Sequence, residues 1–312
     1  MKPRVFIHSN HRQLIGALVS QYSLRRNSRN TDRFDVCVLH SEDHPFLRAP
    51  EDELYLREGE SVPWHYDDLQ SFTPLRFMPP ELMGYEGRAL VIDPDVFAVG
   101  DPWDLLTRDM QGNALVCRPR AGSKGLRGNL ASSVMLLDCA KLTHWRCEEQ
   151  FRELFTFERD YMEWICLRLE PPESIGLFEH EWNDFDRLTP QTRLLHNTKR
   201  QTQPWKTGLP VDFRPARKKL NPLRPKTWLR PFKRRALSNY KTHPDPAQER
   251  HFFGLLRECL ESGEIAESVV REEMRRNHLR HDALEVVERA LPLAQHHGPA
   301  GGVLASSAAS IR

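Results

Sequence analysis

The sequence predicts an α/β domain followed by a small helical appendage. Three observations predict it: a strand–helix–strand opening, an alternation of short apolar runs with helical patterns up to about residue 210, and a sharp change of composition beyond it. At 312 residues the chain can form one large domain with an appendage, or two domains. Hydrophobic residues make up 39% and charged residues 28%, which excludes wholesale disorder and collagen-like classes. The net charge is only +2, so attraction to nucleic acid or anionic lipid has to be local if it exists.

Val5 to His8 reads as a short buried strand. The polar turn Ser9-Asn10-His11 leads into a helix whose Leu14, Ile15, Leu18, Val19 and Tyr22 share one face. Phe34 to Leu39 is a second β run, and the helical crossover makes the two strands parallel neighbours. Residues 41–74 are acidic, Pro-containing and aperiodic, and are expected as an excursion over the surface. Arg88 to Ile92 is a compact apolar strand that stops at Asp93-Pro94-Asp95, after which Val96 to Val99 resume a β pattern. Asp101-Pro102 is a helix start, with an acidic cap and proline at the first helical position. Further β runs are Ala114 to Cys117, Ser133 to Leu137 and Arg193 to Leu195, with helical patterns over 144–156 and 159–169.

Eleven Lys and Arg residues and no acid lie between Arg214 and Lys241, with Pro215, Pro222, Pro225 and Pro231 interleaved. The resulting organisation is a domain at 1–210, a basic Pro-rich connector at 211–245, a helical segment at 246–297 and a disordered tail at 298–312. The connector is a solvated linker or a contact for an anionic membrane, each positive charge near the surface adding on the order of 1 kcal/mol. No reading motif for nucleic acid accompanies it. The six cysteines are dispersed, with no C-x-x-C pair, which argues against a disulfide scaffold or structural zinc and for a reducing compartment. No stretch approaches 18 apolar residues and the apolar run at the N-terminus is too short for a signal segment, so the expected location is cytoplasmic, with peripheral contact at the inner face of the membrane through residues 214–241.

Asp93 and Asp95 are the sharpest chemical feature. Two carboxylates at the C-terminal end of a buried strand face the crevice where open α/β sheets bind ligands, and suit a divalent cation that completes its shell with diphosphate oxygens. The string alone is cheap, since Asp184-Phe185-Asp186 repeats it in a polar stretch. His196 follows the apolar strand at 193–195 and would sit at a sheet edge, where its imidazole could join the two carboxylates.

The run from Arg76-Phe77-Met78-Pro79-Pro80-Glu81-Leu82 through Gly87 to Asp95, then Gly100-Asp101, resembles the donor segment of GT-A fold glycosyltransferases. The likeness is strongest to glycosyltransferase family 8, the family of glycogenin and bacterial lipopolysaccharide sugar transferases. Phe6 to Ser9 with Gly16 to Leu24 is similar to the family's first strand and helix. Ala131-Ser132-Ser133 with the following strand is similar to the segment lining the donor sugar. Glu181-Trp182-Asn183, Leu195-His196-Asn197-Thr198 and Gln203-Pro204-Trp205-Lys206 are similar to the late Trp-Asn, His and Lys-Pro-Trp elements. Ala131, Ser133 and Gln203 depart from the family's usual residues.

The resemblance covers residues 1–210. It implies a mixed GT-A sheet flanked by helices, and a transferase moving a sugar, with retention, from a nucleotide diphosphate sugar to a glycan, lipid-linked or protein acceptor. The implied donor is a UDP-sugar. Implied metal ligands are Asp93, Asp95 and His196, holding Mn²⁺ or, less well, Mg²⁺. His8, Ser9, Arg76, Ser132 and Ser133 are expected at the donor, with Lys199 or Lys206 supplying charge at the diphosphate. Arg76 and Asp160 are expected near the reacting carbon. The same carboxylate pair would serve an inverting GT-A transferase or a nucleotidyltransferase, and a non-catalytic protein docking through its basic segment is the rival of a different class. Oligomeric state is not legible.

Overall fold

A computed structural model describes residues 1–120, 128–213 and 239–293. The tail predicted at 298–312 and the connector positions 214–238 lie outside the described residues, so of the eleven basic positions only Lys241 is described.

Strand β1 (Arg4–Ser9) leads through helix α1 (Leu14–Arg26) to β2 (Asp35–His40), which pairs with β1 in parallel as the crossover requires. Inside the stretch expected to be aperiodic lies a hairpin, β3 (Leu54–Arg57) and β4 (Glu60–Pro63). Its two-residue turn, Glu58-Gly59, holds both residues at positive φ, 54° and 73°. After α2 (Pro79–Leu82), β5 (Arg88–Ile92) pairs in parallel with the other edge of β1. There follow β6 (Val96–Ala98), α3 (Pro102–Leu106), β7 (Leu115–Pro119) and β8 (Leu130–Asp138). Asp101 caps α3 by accepting from the Trp103 N–H at 2.9 Å.

The predicted helices around 144–156 and 159–169 contract to α4 (Cys147–Arg152) and α5 (Tyr161–Ile165). Leu167 takes a left-handed φ of 58°, which the helix cannot continue through. Short strands β9 (Ile175–Leu177), β10 (Asp184–Phe185) and β11 (Leu194–His196) precede the C-terminal helices α6 (Pro246–Glu261), α7 (Glu267–Arg275) and α8 (Ala283–Arg289).

The main sheet is mixed and flanked by helices, with strand order β2-β1-β5-β8-β7-β9; β8 runs antiparallel to both β5 and β7. A small second sheet has the order β10-β11-β6. One core surrounds the main sheet. A second joins Ile15 and Val19 of α1 to Phe97 of β6, Trp205, and Phe252, Phe253 and Leu256 of α6. The Phe252 ring stacks on Trp205 at 4.7 Å and meets Phe97 edge-on at 5.5 Å. The C-terminal helices therefore share a core with the first helix. The chain leaves the described region at Phe213 and re-enters at Asn239, whose backbone bridges Pro210. Among the described residues no helix is long and apolar enough to cross a membrane.

Because Phe252 is fully buried between Trp205 and Phe97, Phe252→Ala is expected to cost about 3–5 kcal/mol of unfolding free energy. Chemical denaturation followed by tryptophan fluorescence checks it; a loss below about 1 kcal/mol would mean that α6 contributes little to the second core.

Candidate active site

Chain direction across the main sheet creates the site. From β1 the chain passes to β2 on one side and later to β5 on the other, so the carboxyl ends of β1 and β5 open a crevice between the departing connections. His8 and Ser9 end β1, and Asp93 follows β5. The Asp93 N–H donates to the Ser133 carbonyl at 3.0 Å, which extends the β5–β8 ladder and fixes where the strand stops.

His196 comes from a hundred residues further on, yet register places it here. In the antiparallel β6–β11 pair it sits opposite Val96, the residue after Asp95, and the Asn197 N–H donates to the Asp95 carbonyl at 3.0 Å. His196 Nε2 lies 3.2 Å from Asp95 Oδ1 and 3.9 Å from Asp93 Oδ2. Donor atoms of the three side chains all fall within 4.8 Å of one another.

Each charge is held. Arg76 straddles Asp93, Nε to Oδ1 at 3.0 Å and Nη2 to Oδ2 at 2.5 Å, and its Nη1 donates to Ser132 Oγ at 2.9 Å. Ser132 in turn donates to the Ile165 carbonyl at 2.6 Å. His8 Nε2 lies 2.6 Å from Asp93 Oδ1. Burial pushes the His8 pKa down, Arg76 Nε also lies 3.2 Å from the same Nε2, and Nδ1 is sealed without a partner among the described residues. Burial would raise the Asp93 carboxyl, but the Arg76 guanidinium, then His8 and His196, hold it well below the usual carboxylate range. For His196, burial opposes the charged form, and Asp95 and then Asp93 outweigh it and draw the pKa up.

The donor set fits a divalent cation. Asn183 Oδ1 accepts from His196 Nδ1 at 2.8 Å while Asn183 Nδ2 donates to Ser133 Oγ at 3.1 Å, so the amide is oriented and Nε2 is the ring nitrogen that faces the carboxylates, where on losing its proton it would offer its lone pair to a cation. Gln203 Nε2 donates to Asp95 Oδ2 at 3.1 Å. Two carboxylates and one oriented imidazole suit a first-row divalent ion better than Ca²⁺. Glu51, Asp52 and His65 are a second compact set among the described residues, but both of its carboxylates are exposed.

Other expected residues divide. Ser132 and Ser133 lie in the network around Asp93 and His196, whereas the Ser9 hydroxyl donates locally to the Asn10 carbonyl at 3.2 Å. Lys206, expected at the diphosphate, is corrected: its ammonium is fully buried, 2.6 Å from Asp212 Oδ2, and lies over the Tyr240 ring. Such a sealed ion pair is structural. Lys199 meets Asp186 Oδ1 through its backbone N–H at 3.1 Å. Asp160 caps α5, accepting from Met162 and Glu163 N–H at 2.7 and 3.2 Å, and also receives the Gly59 N–H of the hairpin turn at 2.9 Å. Its carboxylate thus has a structural task on α5 and the hairpin. Trp182 and Trp205 are buried in the two cores.

Sequence reasoning passed over Asn183 and Gln203 as individual ligand-orienting residues. Their signal was adjacency to Trp182 and to Pro204-Trp205. It also passed over Gly16 as a spacer. A Cβ there would lie 2.7 Å from the Pro94 carbonyl oxygen, the backbone between the two aspartates, and Ser20 of the same helix donates to the Val96 carbonyl at 2.6 Å. Beside this crevice a cleft of about 440 Å³ opens at the ends of β1 and β2, lined by His11, Ser41, Glu42, Arg48 and Tyr66 among others.

Two expectations follow. Gly16→Ala must move the Asp93-Pro94-Asp95 turn and costs about 1–3 kcal/mol of stability; it also weakens divalent-metal binding, measured by calorimetry, and unchanged metal affinity would show that the turn yields freely. Asp160→Ala costs about 1 kcal/mol near neutral pH. Burial acts to raise this carboxyl, but the backbone N–H donors, Gly59 first, hold it below its ordinary value. The contribution is therefore full above the unfolded carboxylate value and is lost as pH falls through the lowered folded value. Urea titrations of both proteins between neutral and acid pH check this, and a gap that stays constant into strong acid contradicts it.

No protein-family model matches the chain, and no curated protein matches it. Among solved structures it is similar to the apo form of the glycosyltransferase GlyE from Streptococcus pneumoniae TIGR4, at 17% identity and a TM-score of 0.46, over 66% of this chain and 56% of that one. The chain thus spans little more than half the length of GlyE. It is similar to the galactosyltransferase LgtC, in complex with donor and acceptor sugar analogues, at 14% identity and TM-score 0.46, over 65% of this chain and 89% of that one. Mouse xyloside xylosyltransferase 1, in apo form, gives 12% identity and TM-score 0.42, over 64% and 98%. Likenesses this distant leave the chemistry to the side chains themselves.

Proposed function

We propose that the chain is a GT-A-type glycosyltransferase that moves a sugar from a nucleotide diphosphate, a UDP-sugar, to a carbohydrate or lipid-linked acceptor with retention of anomeric configuration. One observation carries the proposal: Asp93, Asp95 and an imidazole oriented by Asn183 converge at the carboxyl end of β5, in the crevice where the strand order reverses.

Asp93, Asp95 and His196 Nε2 would hold the cation, and the imidazole favours Mn²⁺ over Mg²⁺. When bound, such an ion is a Lewis acid toward the departing diphosphate, offsetting the negative charge that builds as the glycosidic C–O bond breaks. The protein's own groups prepare that site. Arg76 and His8 keep Asp93 ionised and aimed; Gln203 and the Asn197 backbone fix Asp95; Asn183 fixes the imidazole. The neighbouring cleft of about 440 Å³ has room for the nucleoside. The basic stretch 214–241 is assigned, within the same proposal, to an anionic membrane surface where a lipid-linked acceptor would lie.

The test is to incubate the protein with a panel of nucleotide sugars, with and without Mn²⁺, and to follow nucleotide release and the anomer of any product. Slow hydrolysis of one donor is expected, abolished by chelator and by Asp95→Ala. Release indifferent to metal refutes the mechanism, and an inverted product refutes the stereochemical part.

A further inference from the structure

Arg118 is a buried cation that the metal site does not use. It lies in β7, where the pairing with β8 slips between Val116 and Arg118, and irregularities of this kind re-aim side chains beside active sites. The residue is 8% exposed. Its Nη1 donates to the Asn183 carbonyl at 2.5 Å and its Nε to the Pro119 carbonyl at 3.2 Å, and its Cζ lies 4.1 Å from the centroid of the Phe185 ring. Carbonyl dipoles and an aromatic face moderate a charge, but they are not a counter-ion.

Among the described residues no carboxylate pairs with it. Asp184 and Glu181 act on it only at longer range, where they fail to reverse the downward pull of burial on its pKa. Asp184 is itself engaged, by Thr192 Oγ1 at 2.8 Å and Arg187 at 3.4 Å. Residues 121–127, 214–238 and 294–312 contain no Asp or Glu, so every acidic side chain of the protein is among the described residues. Among the described residues Arg118 Nη2 has no hydrogen-bond partner, and it is not one of the sealed polar atoms, so these residues leave its donor pair for a ligand.

Position narrows the ligand. Arg118 reaches the site through Asn183, which takes the Nδ1 side of His196, whereas Nε2 faces Asp93 and Asp95. The two ring nitrogens point away from one another. An anion on Arg118 is therefore a different group from one that bridges the carboxylates. We propose that Arg118 receives an oxyanion, a carboxylate or phosphate ester, carried by one of the two sugars that meet at this site, so that one substrate of the enzyme is an acidic sugar. The proposal rests on the sugar-transfer function above and deepens it.

Calorimetry on the full chain tests it with matched acidic and neutral probes. UDP-glucuronate is compared with UDP-glucose in the presence of Mn²⁺. Glucuronate and glucose 6-phosphate are compared with glucose on protein with and without UDP and Mn²⁺, weak binding being followed by the Arg118 Nε–H signal in ¹⁵N-labelled protein. At least one acidic probe is expected to bind about tenfold tighter than its neutral partner, as a charge-assisted hydrogen bond provides. Arg118→Gln removes the difference, and Arg118→Lys retains part of it. Preference within the UDP-sugar pair places the acid on the donor; preference among the free sugars places it on the acceptor and separates carboxylate from phosphate. Equal binding in every pair by the native protein overturns the proposal, as does a preference undiminished in Arg118→Gln. Should Arg118→Gln not fold, the native protein and Arg118→Lys still decide. Failure of UDP to bind with Mn²⁺ overturns the sugar-transfer function instead, and the free-sugar titrations without nucleotide still report on Arg118.

Discussion

A carboxylate that is 7% exposed governs the organisation of this molecule. Asp93 follows a strand whose last four residues are fully buried, and an unpaired charge there would cost several kcal/mol. Arg76 and His8 answer it, and both are themselves buried. Each recruit then needs partners of its own: Arg76 turns to Ser132, and Ser132 to the carbonyl that ends α5. On the other flank His196 turns to Asn183, and Asn183 to Ser133. Polar groups from β1, β5, β8 and β11 are thereby bound into one system, and breaking any member leaves a sealed polar atom without its partner.

Local pattern was legible wherever a single element carried it. Arg88 to Ile92 reads as a strand because the four apolar residues after Arg88 run without interruption to Asp-Pro, and the structure ends β5 at the same place. Asp101-Pro102 announces a helix start for reasons of capping and fixed φ, and α3 begins there. The hairpin at 54–63 was not legible, because its turn uses Glu58 at φ 54° where Asn or Asp would have advertised a left-handed residue. Strand β9 escaped for another reason: three residues carry no period, and it exists because β7 offers a parallel edge.

The site divides along the same line. Asp93 and Asp95 were visible in the chain, and His196 was visible as a histidine at a strand end. What could not be read was which polar neighbours would be spent internally. Lys206 and Lys199 look equivalent as spare cations in sequence, yet one is sealed against Asp212 and the other lies at a turn closed by Asp186. Arg118 carries no signal in the chain, and Gln203 stands out there only as a departure from the family's usual residue, because their meaning depends on what fails to pair with the first and on which carboxylate the second meets. Those are properties of tertiary arrangement.

The C-terminal helices belong to the same logic. Phe97 lies two residues after Asp95, and its ring is fully buried beneath Trp205 and Phe252. Asn197, next to His196, gives its backbone N–H to Asp95 and its side-chain amide to Gln248 of α6 at 2.7 Å, in a contact sealed from solvent. From the opposite side α1 presses Gly16 and Ser20 on the turn that bears both aspartates, and its Ile15 and Val19 are covered by the same helical unit. Without α6, Phe97, Ile15 and Val19 would lose their shared cover and Asn197 would lose its side-chain partner, one residue from the imidazole. The helical unit thus confines the Asp93–Asp95 turn between α1 and the small sheet, which makes it part of the scaffold that sets the spacing of the donor atoms.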